Sequence, residues 1–240
     1  MIAGHAVRRS GPRRVPRKAP GHVRLDRGRV LAAALHLMDA DGLDALSMRK
    51  LAADLDVEAM SLYYHVPGKA ALLEGLAETV LADVRLPRGV DGDWPEASRA
   101  VARALRDNAR AHPNAMPLLA SLGLGSPAAR RHTEDVLGVL GAAGLAPQAA
   151  FTAFLVIRSY VLGYVLWEIH HAEAKAAGII PATEPGALTS VAIPRLTTLA
   201  PFIATFDDDA EFERGLEVIV AGLRSAAHAR EEALRHAARA

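Results

Sequence analysis

The side chains best suited to molecular recognition lie within residues 47–66. One short stretch combines hydroxyl, imidazole and small apolar groups: Ala59, Met60, Ser61, Tyr63, Tyr64 and His65. In a DNA major groove, hydroxyl groups can bond phosphates or base edges, and apolar groups can contact thymine methyls. Arg49 precedes the stretch and can reach a guanine edge or a phosphate, while Lys69 follows it. These residue types predict contacts with double-stranded DNA.

Two short helices must hold these side chains in place. Ser47 opens a predicted helix over 48–55, and a brief turn around Asp56 leads to a second helix over about 58–64. The apolar residues that pack the pair together are Leu51, Ala52, Leu55, Val57 and Leu62. The pattern is typical of a helix-turn-helix. The alternative is a plain helical hairpin in which Tyr63 and Tyr64 are half-buried.

Longer helices surround this pair. A first helix is predicted over 27–41, with Asp26 as its N-cap and Gly42 at its end. A connecting helix begins at Lys69, where the lysine charge and the free amides together favour a phosphate. Further helical patterns cover 94–111, 116–122, 126–144, 147–177, 187–200 and 208–226. No segment alternates with period two for long enough to form a strand, so the fold class is all-α.

The chain divides into four parts. Residues 1–24 hold seven lysines and arginines and no acid, and the prolines and glycines among them predict a disordered basic arm over 1–23. A three-helix DNA-binding domain follows over 24–70, with the connecting helix over 69–85. A larger helical domain covers 86–226, and 227–240 form a C-terminal tail. The arm either follows DNA phosphates or is only a tail.

Composition excludes several classes of site. The chain has no cysteine, which removes disulfides, thiolate chemistry and Cys-ligated zinc. No uninterrupted apolar run reaches the roughly 20 residues that span a bilayer, so we expect a cytoplasmic protein with no membrane partner.

Catalytic and metal sites are not indicated either. We find no paired carboxylates on one face, no nucleophile beside a base and no Gly-rich phosphate loop. Glu168 and His171 lie three residues apart, as do His170 and Glu173, so each pair could meet a cation. No second cluster completes a metal shell, and a solvated helix end is the favoured interpretation. We therefore predict no enzyme activity, no bound metal and no cofactor.

Residues 25–84 resemble the DNA-binding domain of the tetracycline repressor (TetR) family. The matching motifs are Asp41-Gly-Leu43, Leu46-Ser-Met-Arg-Lys-Leu-Ala52, Val57-Glu-Ala-Met-Ser-Leu-Tyr-Tyr-His-Val66 and Lys69-Ala-Ala-Leu-Leu73. The resemblance implies DNA contacts at Arg49, Ala59, Met60, Ser61, Tyr63, Tyr64, His65 and Lys69. The family often has a polar base reader at one of the positions that Ala59 and Met60 occupy. Both are apolar here, which implies a different operator.

A weaker likeness covers the C-terminal half, through Leu105-Arg-Asp-Asn108, the helix over 151–168 and Gly215–Leu223. It implies a ligand-binding and dimerisation domain. In the tetracycline repressor the drug is a magnesium chelate held by histidine, threonine and glutamate side chains. Asn108 and Glu168 match that set, but the stretch Ser121–Ser126 has no histidine and Arg85 replaces another. We therefore expect an effector other than tetracycline.

Ligand pockets are mostly apolar with a few polar anchors. By that rule the candidate ligand-binding residues are Asn108, Phe151, Phe154, Arg158, Tyr164, Trp167 and Glu168, with Tyr160 as further lining. Apolar residues at helical spacing can equally belong to the core or to a dimer interface, and Arg158 can equally pair with an acid across a dimer.

The family resemblance implies a homodimer on a palindromic operator, which a small molecule releases. The amount of apolar surface also favours a homodimer, because the helices over 147–177 and 208–226 are too apolar to be covered by the other helices of one chain. The predicted function is thus a ligand-responsive transcriptional repressor. The alternative is an architectural DNA-binding protein that is indifferent to sequence, for which the large second domain has no use.

Overall fold

The computed structural model describes residues 24–179 and 193–237, and every regular element within these ranges is helical. The basic arm predicted over 1–23 lies outside the described residues. The helices are α1 (Arg27–Asp41), α2 (Met48–Asp54), α3 (Ala59–His65), α4 (Lys69–Ala82), α5 (Trp94–Ala111), α6 (Met116–Ser121), α7 (Pro127–Ala142), α8 (Pro147–Ala176), α9 (Pro194–Ala204) and α10 (Asp208–Ala237), with a short 3-10 turn over Pro113–Ala115. The predicted all-α fold class is confirmed.

Local capping signals explain where the N-terminal helices begin and end. The Asp26 carboxylate accepts from the Arg29 amide at 2.8 Å, and the Ser47 hydroxyl accepts from the Lys50 amide at 3.2 Å. Gly42 closes α1 with a φ of 83°, in the region that favours glycine, and its N–H donates to the Met38 carbonyl. The buried side chains of Leu51 and Leu62 then lock α2 against α3.

Helix α4 joins the head, which comprises α1, α2 and α3, to the C-terminal core, which comprises α5 to α10. On its head side, Gly75 lies so close to Leu31 of α1 that a larger residue would collide with it. On its core side, the Glu74 carboxylate accepts from the Ala128 amide at 2.8 Å and from the Ser126 hydroxyl at 3.1 Å, which caps the N-terminus of α7. The core therefore holds α4 through charge-assisted hydrogen bonds as well as through apolar packing.

The core is built around α8, which packs against α5, α6, α7 and α10. By length and composition alone α8 could cross a membrane. Its contacts are those of a central core helix instead: Tyr160 donates to the Phe212 carbonyl at 2.8 Å and Tyr164 donates to the Asp208 carbonyl at 2.9 Å, both on α10. The sequence did not lead us to expect a helix of this kind, because Arg158 interrupts its apolar run.

Two helices near the C-terminus end later than predicted. Helix α10 continues to Ala237, because the residues beyond Gly222 are mostly good helix formers with no glycine or proline to stop them. Helix α9 begins at Pro194 and runs through Pro201 to Ala204, where we had predicted 187–200. Proline suits the first turn of a helix, and Pro201 lies on an exposed face, where water can satisfy the freed carbonyl. The part of that prediction over 187–192 lies outside the described residues.

Candidate DNA-binding surface and ligand cavity

Helix α3 presents one continuous face to solvent. Met60, Ser61, Tyr63 and Tyr64 are exposed, and Tyr64 is 88% exposed. Ala59 and His65 are half-buried at the two ends, and the His65 ring meets the Tyr64 ring edge-on at 5.3 Å. Because Leu62 and Val66 anchor the opposite face in the core, α3 holds these groups on a rigid support.

The cations beside α3 differ in their pairing. Lys50 already bonds the Asp41 carboxylate at 2.8 Å. Arg49 and Lys69 are exposed, and neither forms an ion pair with a described residue. Lys69 stands in the first turn of α4, whose N-cap Gly68 supplies no side-chain bond to the free amides there. A free cation next to unsatisfied amides is a suitable site for a phosphate oxygen.

A cavity of about 170 Å³ lies in the core between α4, α5, α6, α7 and α8. Four of the predicted ligand-binding residues line it: Asn108, Phe151, Phe154 and Arg158. The rest of its wall is mainly apolar, from Leu81, Leu105, Met116, Leu119, Leu122, Leu155, Val161 and Leu162. An apolar wall with few polar groups is the usual form of a small-molecule site.

The polar groups of this cavity are partly committed to the protein. The Asn108 amide donates to the Val80 carbonyl of α4 at 2.9 Å, and the Arg158 guanidinium donates to the Leu119 and Leu122 carbonyls at 3.0 and 3.1 Å. Thr133 donates to the Ala129 carbonyl at 2.7 Å. His132 makes no hydrogen bond with any described residue, and its Nε2 atom is buried without a partner.

The structure separates the other three predicted ligand-binding residues from the cavity. Tyr164 and Trp167 line a shallow groove between α8 and α10. Glu168 lies in an ion-pair cluster, where it meets Arg106 at 2.5 Å and Arg110 at 2.9 Å. The reason is helix length: at 1.5 Å per residue, positions 151 and 168 are roughly 25 Å apart along α8, too far for one small ligand.

Sequence reasoning missed His132 as part of the cavity. Ala128, Val136 and Leu140 precede and follow it at intervals of four or eight residues on one buried face of α7. A histidine on such an apolar stripe was the available signal. Burial lowers the pKa of His132 below 6.5, Asp135 opposes this shift, and the nearby Arg158 charge adds to it. The imidazole is therefore neutral at pH 7.

The possible metal pairs on α8 do not gather into a site. Among the described residues, no group of three or more His, Cys, Asp or Glu side chains could hold a metal ion. The Glu168 carboxylate is engaged by arginines, and the His171 ring stacks on Trp167 with the ring centres 5.3 Å apart.

Comparison with known proteins agrees with both halves of the molecule. Residues 30–76 match the family model for bacterial regulatory proteins of the tetR family, and residues 86–227 match the tetracyclin repressor-like C-terminal domain. The tetracycline repressor protein class A of Escherichia coli is 36% identical over 208 residues, covering 81% of this chain and 88% of that protein. The transcriptional repressor DrrR1 of Streptomyces coeruleorubidus is 35% identical over 148 residues, covering 61% of this chain and 55% of DrrR1.

The solved structures include one with a bound ligand. The Streptomyces coelicolor TetR family protein ActR, in complex with actinorhodin, superposes with a TM-score of 0.74 at 31% identity, covering 85% of this chain and 97% of that one. The exposed helix-turn-helix, the mainly apolar core cavity and these matches agree with one another. The chain therefore belongs to the TetR family, as a ligand-responsive, DNA-binding transcriptional regulator and not an enzyme.

Proposed function

We propose that this protein is a homodimeric transcriptional repressor that binds a palindromic operator and releases it when a small molecule occupies the core cavity. The observation that carries the proposal is the position of α4. This helix begins at the DNA-binding surface with Lys69 and contributes Leu81 to the cavity wall. A ligand that repacks the cavity therefore acts directly on the helix that positions the head.

The proposed DNA contacts are those of the exposed α3 face and its two free cations. Ser61, Tyr63, Tyr64 and His65 supply hydrogen bonds, and Ala59 and Met60 supply apolar contacts to the bases. Arg49 and Lys69 bind phosphates, and Arg49 can also read a guanine edge. Because the base-reading pair at 59 and 60 is apolar, we expect thymine methyl groups at the matching operator positions.

The proposed dimer interface is an exposed stripe on α8 and α10. On α8 the stripe comprises Leu155, Ser159, Gly163 and Trp167 at intervals of four residues, with Val156 beside Leu155. On α10 it comprises Val218, Ala221, Gly222 and Ser225, and Val218 is 73% exposed. Small residues between larger apolar ones allow two helices to approach closely, and a second copy would turn the stripe into a four-helix interface. Two heads held this way can enter successive major grooves.

Two side-chain hydrogen bonds hold α4, the helix that carries the head, against α5 and α7 of the cavity wall. Asn108 lines the cavity and holds the Val80 carbonyl, and Glu74 holds the first turn of α7. A ligand can change the operator affinity only as far as it binds the two positions of α4 with different affinity. A shift at the end of α4 would change the spacing of the two heads in the dimer.

We propose that the effector is not tetracycline. The loop over 122–124 that lines the cavity has no histidine, and Glu168, the matching carboxylate, is held by two arginines. A magnesium chelate would find no carboxylate among the described cavity residues. We place the protein in the cytoplasm, with DNA, the effector and a second copy of itself as partners and without a membrane.

Operator binding is tested by fluorescence anisotropy with DNA from upstream of the protein's own gene. We expect a palindromic site there to bind at least a thousandfold more tightly than random duplex of equal length, with an affinity that falls steeply with salt. Equal binding to both duplexes would instead support the architectural alternative. A duplex with a single half-site is the control, because only one of the two recognition helices of the dimer can bind it specifically.

The dimer is tested by sedimentation of Val218→Glu, which places two like charges across the proposed two-fold axis. We expect a monomer that is still helical and binds the operator weakly. Arg224→Glu on the same helix is the control for adding an acid to α10. A dimer that survives the Val218 change would place the interface elsewhere.

A further inference from the structure

His132 and Arg158 are two polar side chains that the core cavity leaves incompletely satisfied. The His132 residue is only 8% exposed, and neither ring nitrogen bonds any described residue. Buried polar atoms almost always have a partner, so an orphan in a cavity wall points to a missing ligand atom or water. Phe154 lies beside the imidazole with the ring centres 6.4 Å apart, and it offers an aromatic wall rather than a hydrogen bond.

Arg158 brings a charge to the same cavity. Its guanidinium donates to two backbone carbonyls at the end of α6, but it forms no ion pair with any described residue. A half-buried cation without a counter-ion is electrostatically costly. Its charge is felt at His132, because it contributes to the lowered pKa of that ring. The two groups therefore act on one region of the cavity.

The charges of the cavity wall select among possible ligands. Of the described residues that line it, none is an acid, and Arg158 is the one side chain that is always charged. A cationic ligand would meet repulsion from Arg158 and find no counter-ion. An anionic oxygen would neutralise Arg158 and accept a hydrogen bond from the neutral imidazole, which carries one N–H whichever tautomer is present.

We propose that the cavity binds an aromatic ligand whose one acidic oxygen group, a carboxylate or an ionised phenol, lies between His132 and Arg158. This inference rests on the proposed function and specifies the chemical class of its effector. The ring system lies against Phe151 and Phe154, and apolar leucines enclose it. An apolar cavity of about 150 Å³ holds benzene. A cavity of about 170 Å³ that opens to solvent therefore accepts one or two fused rings that carry the acidic group.

The test compares three probes that share a ring system and differ in charge: naphthoate, naphthylmethanol and naphthylmethylammonium. Binding to the full-length protein is measured by isothermal titration calorimetry at pH 7 without DNA. We expect naphthoate to bind roughly tenfold more tightly than naphthylmethanol, since a charge-assisted hydrogen bond is stronger than a neutral one. We expect no measurable binding of the ammonium probe. Equal affinities for the three probes, or no binding of any, overturn the proposal.

Variants assign the preference to the two residues. His132→Phe keeps the shape of the ring and removes its nitrogens, so naphthoate affinity should fall roughly tenfold. Arg158→Met should abolish the preference for the anion. Arg158→Lys keeps the positive charge and should retain part of the preference, and it replaces the Met variant as the test if loss of the contacts to α6 unfolds that variant. Glu134→Gln is the control on the same helix, because Glu134 is exposed and does not line the cavity. A preference that survives His132→Phe, or an ordered water on His132 in the naphthoate complex, contradicts the assignment.

Operator binding is measured in parallel so that the two proposals can fail separately. If the protein binds its operator specifically but shows no anion preference, the repressor stands and this ligand class falls. If naphthoate binds through His132 but the protein shows no sequence preference for DNA, the cavity assignment stands and the proposed repressor function falls.

Discussion

The head and the core of this molecule place their polar side chains in different ways. On α3 the polar groups are exposed and Arg49 and Lys69 have no ion-pair partner among the described residues. In the core most polar groups already serve the fold: Arg106 and Glu168 pair with each other, and Asn108 holds α4. Free groups on a rigid support are available to an external partner, whereas paired groups stabilise the protein that presents them.

This difference between head and core separates residues that bind a partner from residues that stabilise the fold. A residue whose hydrogen bonds are all made inside the chain should affect unfolding when it is changed. A residue with unmet hydrogen bonds should affect binding. Among the described residues, one side-chain atom in each of Asp39, Ser98, Arg106 and His132 is buried without a partner. Of these four residues only His132 lines the core cavity, and its unmet bond there is what marks it as a binding residue.

The largest effect should come from Arg106→Met. The Arg106 side chain is 7% exposed and pairs with Glu168 and Asp209. The change leaves Glu168, whose side chain is 12% exposed, with Arg110 as its remaining partner, so the free energy of unfolding should fall by about 3 kcal/mol in urea titrations, at the low end for a broken buried ion pair. Arg103→Met is the matched control on the same helix, because Arg103 is 45% exposed and pairs with Glu213 at the surface. Its loss should cost at most about 1 kcal/mol. Equal effects would show that the cluster around Glu168 is not structural.

The second effect concerns the exposed face of α3. Tyr64→Ala removes a side chain that packs on little else, so unfolding should change by no more than about 0.5 kcal/mol. Operator affinity should fall roughly tenfold, as for loss of one base contact. Anisotropy and urea titration on the same preparation separate the two quantities. Ile179→Ala, an exposed apolar position that follows the end of α8, should change neither. A lower unfolding free energy with unchanged operator affinity would mean that Tyr64 stabilises the fold and does not contact DNA.

A smaller effect should separate two neighbouring cations on α2. Arg49 has no ion-pair partner among the described residues, whereas Lys50 bonds Asp41. Arg49→Ala should lower the slope of log K against log salt concentration by about 1, as for one phosphate contact. Lys50→Ala should leave the slope nearly unchanged. Lys69→Ala should behave like Arg49→Ala, because its position at the start of α4 suits a phosphate. A larger change in the salt slope for Lys50→Ala than for Arg49→Ala would mean that α2 faces the DNA with Lys50 and not with Arg49.

The head could be predicted from sequence because its signals are local. Asp26 and Ser47 were each expected to begin a helix, and each accepts a bond from the amide three residues later. The helix-turn-helix depends on two short helices whose apolar residues lie within one stretch of the chain. Caps, spacing and turns of this kind are read within a few residues.

The ligand cavity could be predicted only in part, because it is assembled from five helices. Phe151, Phe154 and Arg158 were found because they share one face over two turns of α8. Trp167 and Glu168 were included because they lie on the same helix, although they are roughly 15 Å further along it. His132 comes from α7 and shares a cavity with Arg158 of α8 only in the folded chain, so no pattern within either helix pairs them.

The smallest effect is the pH dependence of stability that His132 confers. Burial lowers the pKa of the folded imidazole below its ordinary 6.5, and Arg158 adds to this effect while Asp135 opposes it. Between these two pKa values the unfolded chain binds a proton that the folded chain does not, so stability must fall as pH decreases below about 6.5. His132→Phe should remove this part of the decline, seen as a flatter plot of unfolding free energy against pH. His36→Phe, at an exposed position, should leave the plot unchanged. A plot that keeps its slope in the His132 variant would mean that the imidazole is solvated, and His132 would then belong with the exposed groups of the head rather than with the buried wall of the cavity.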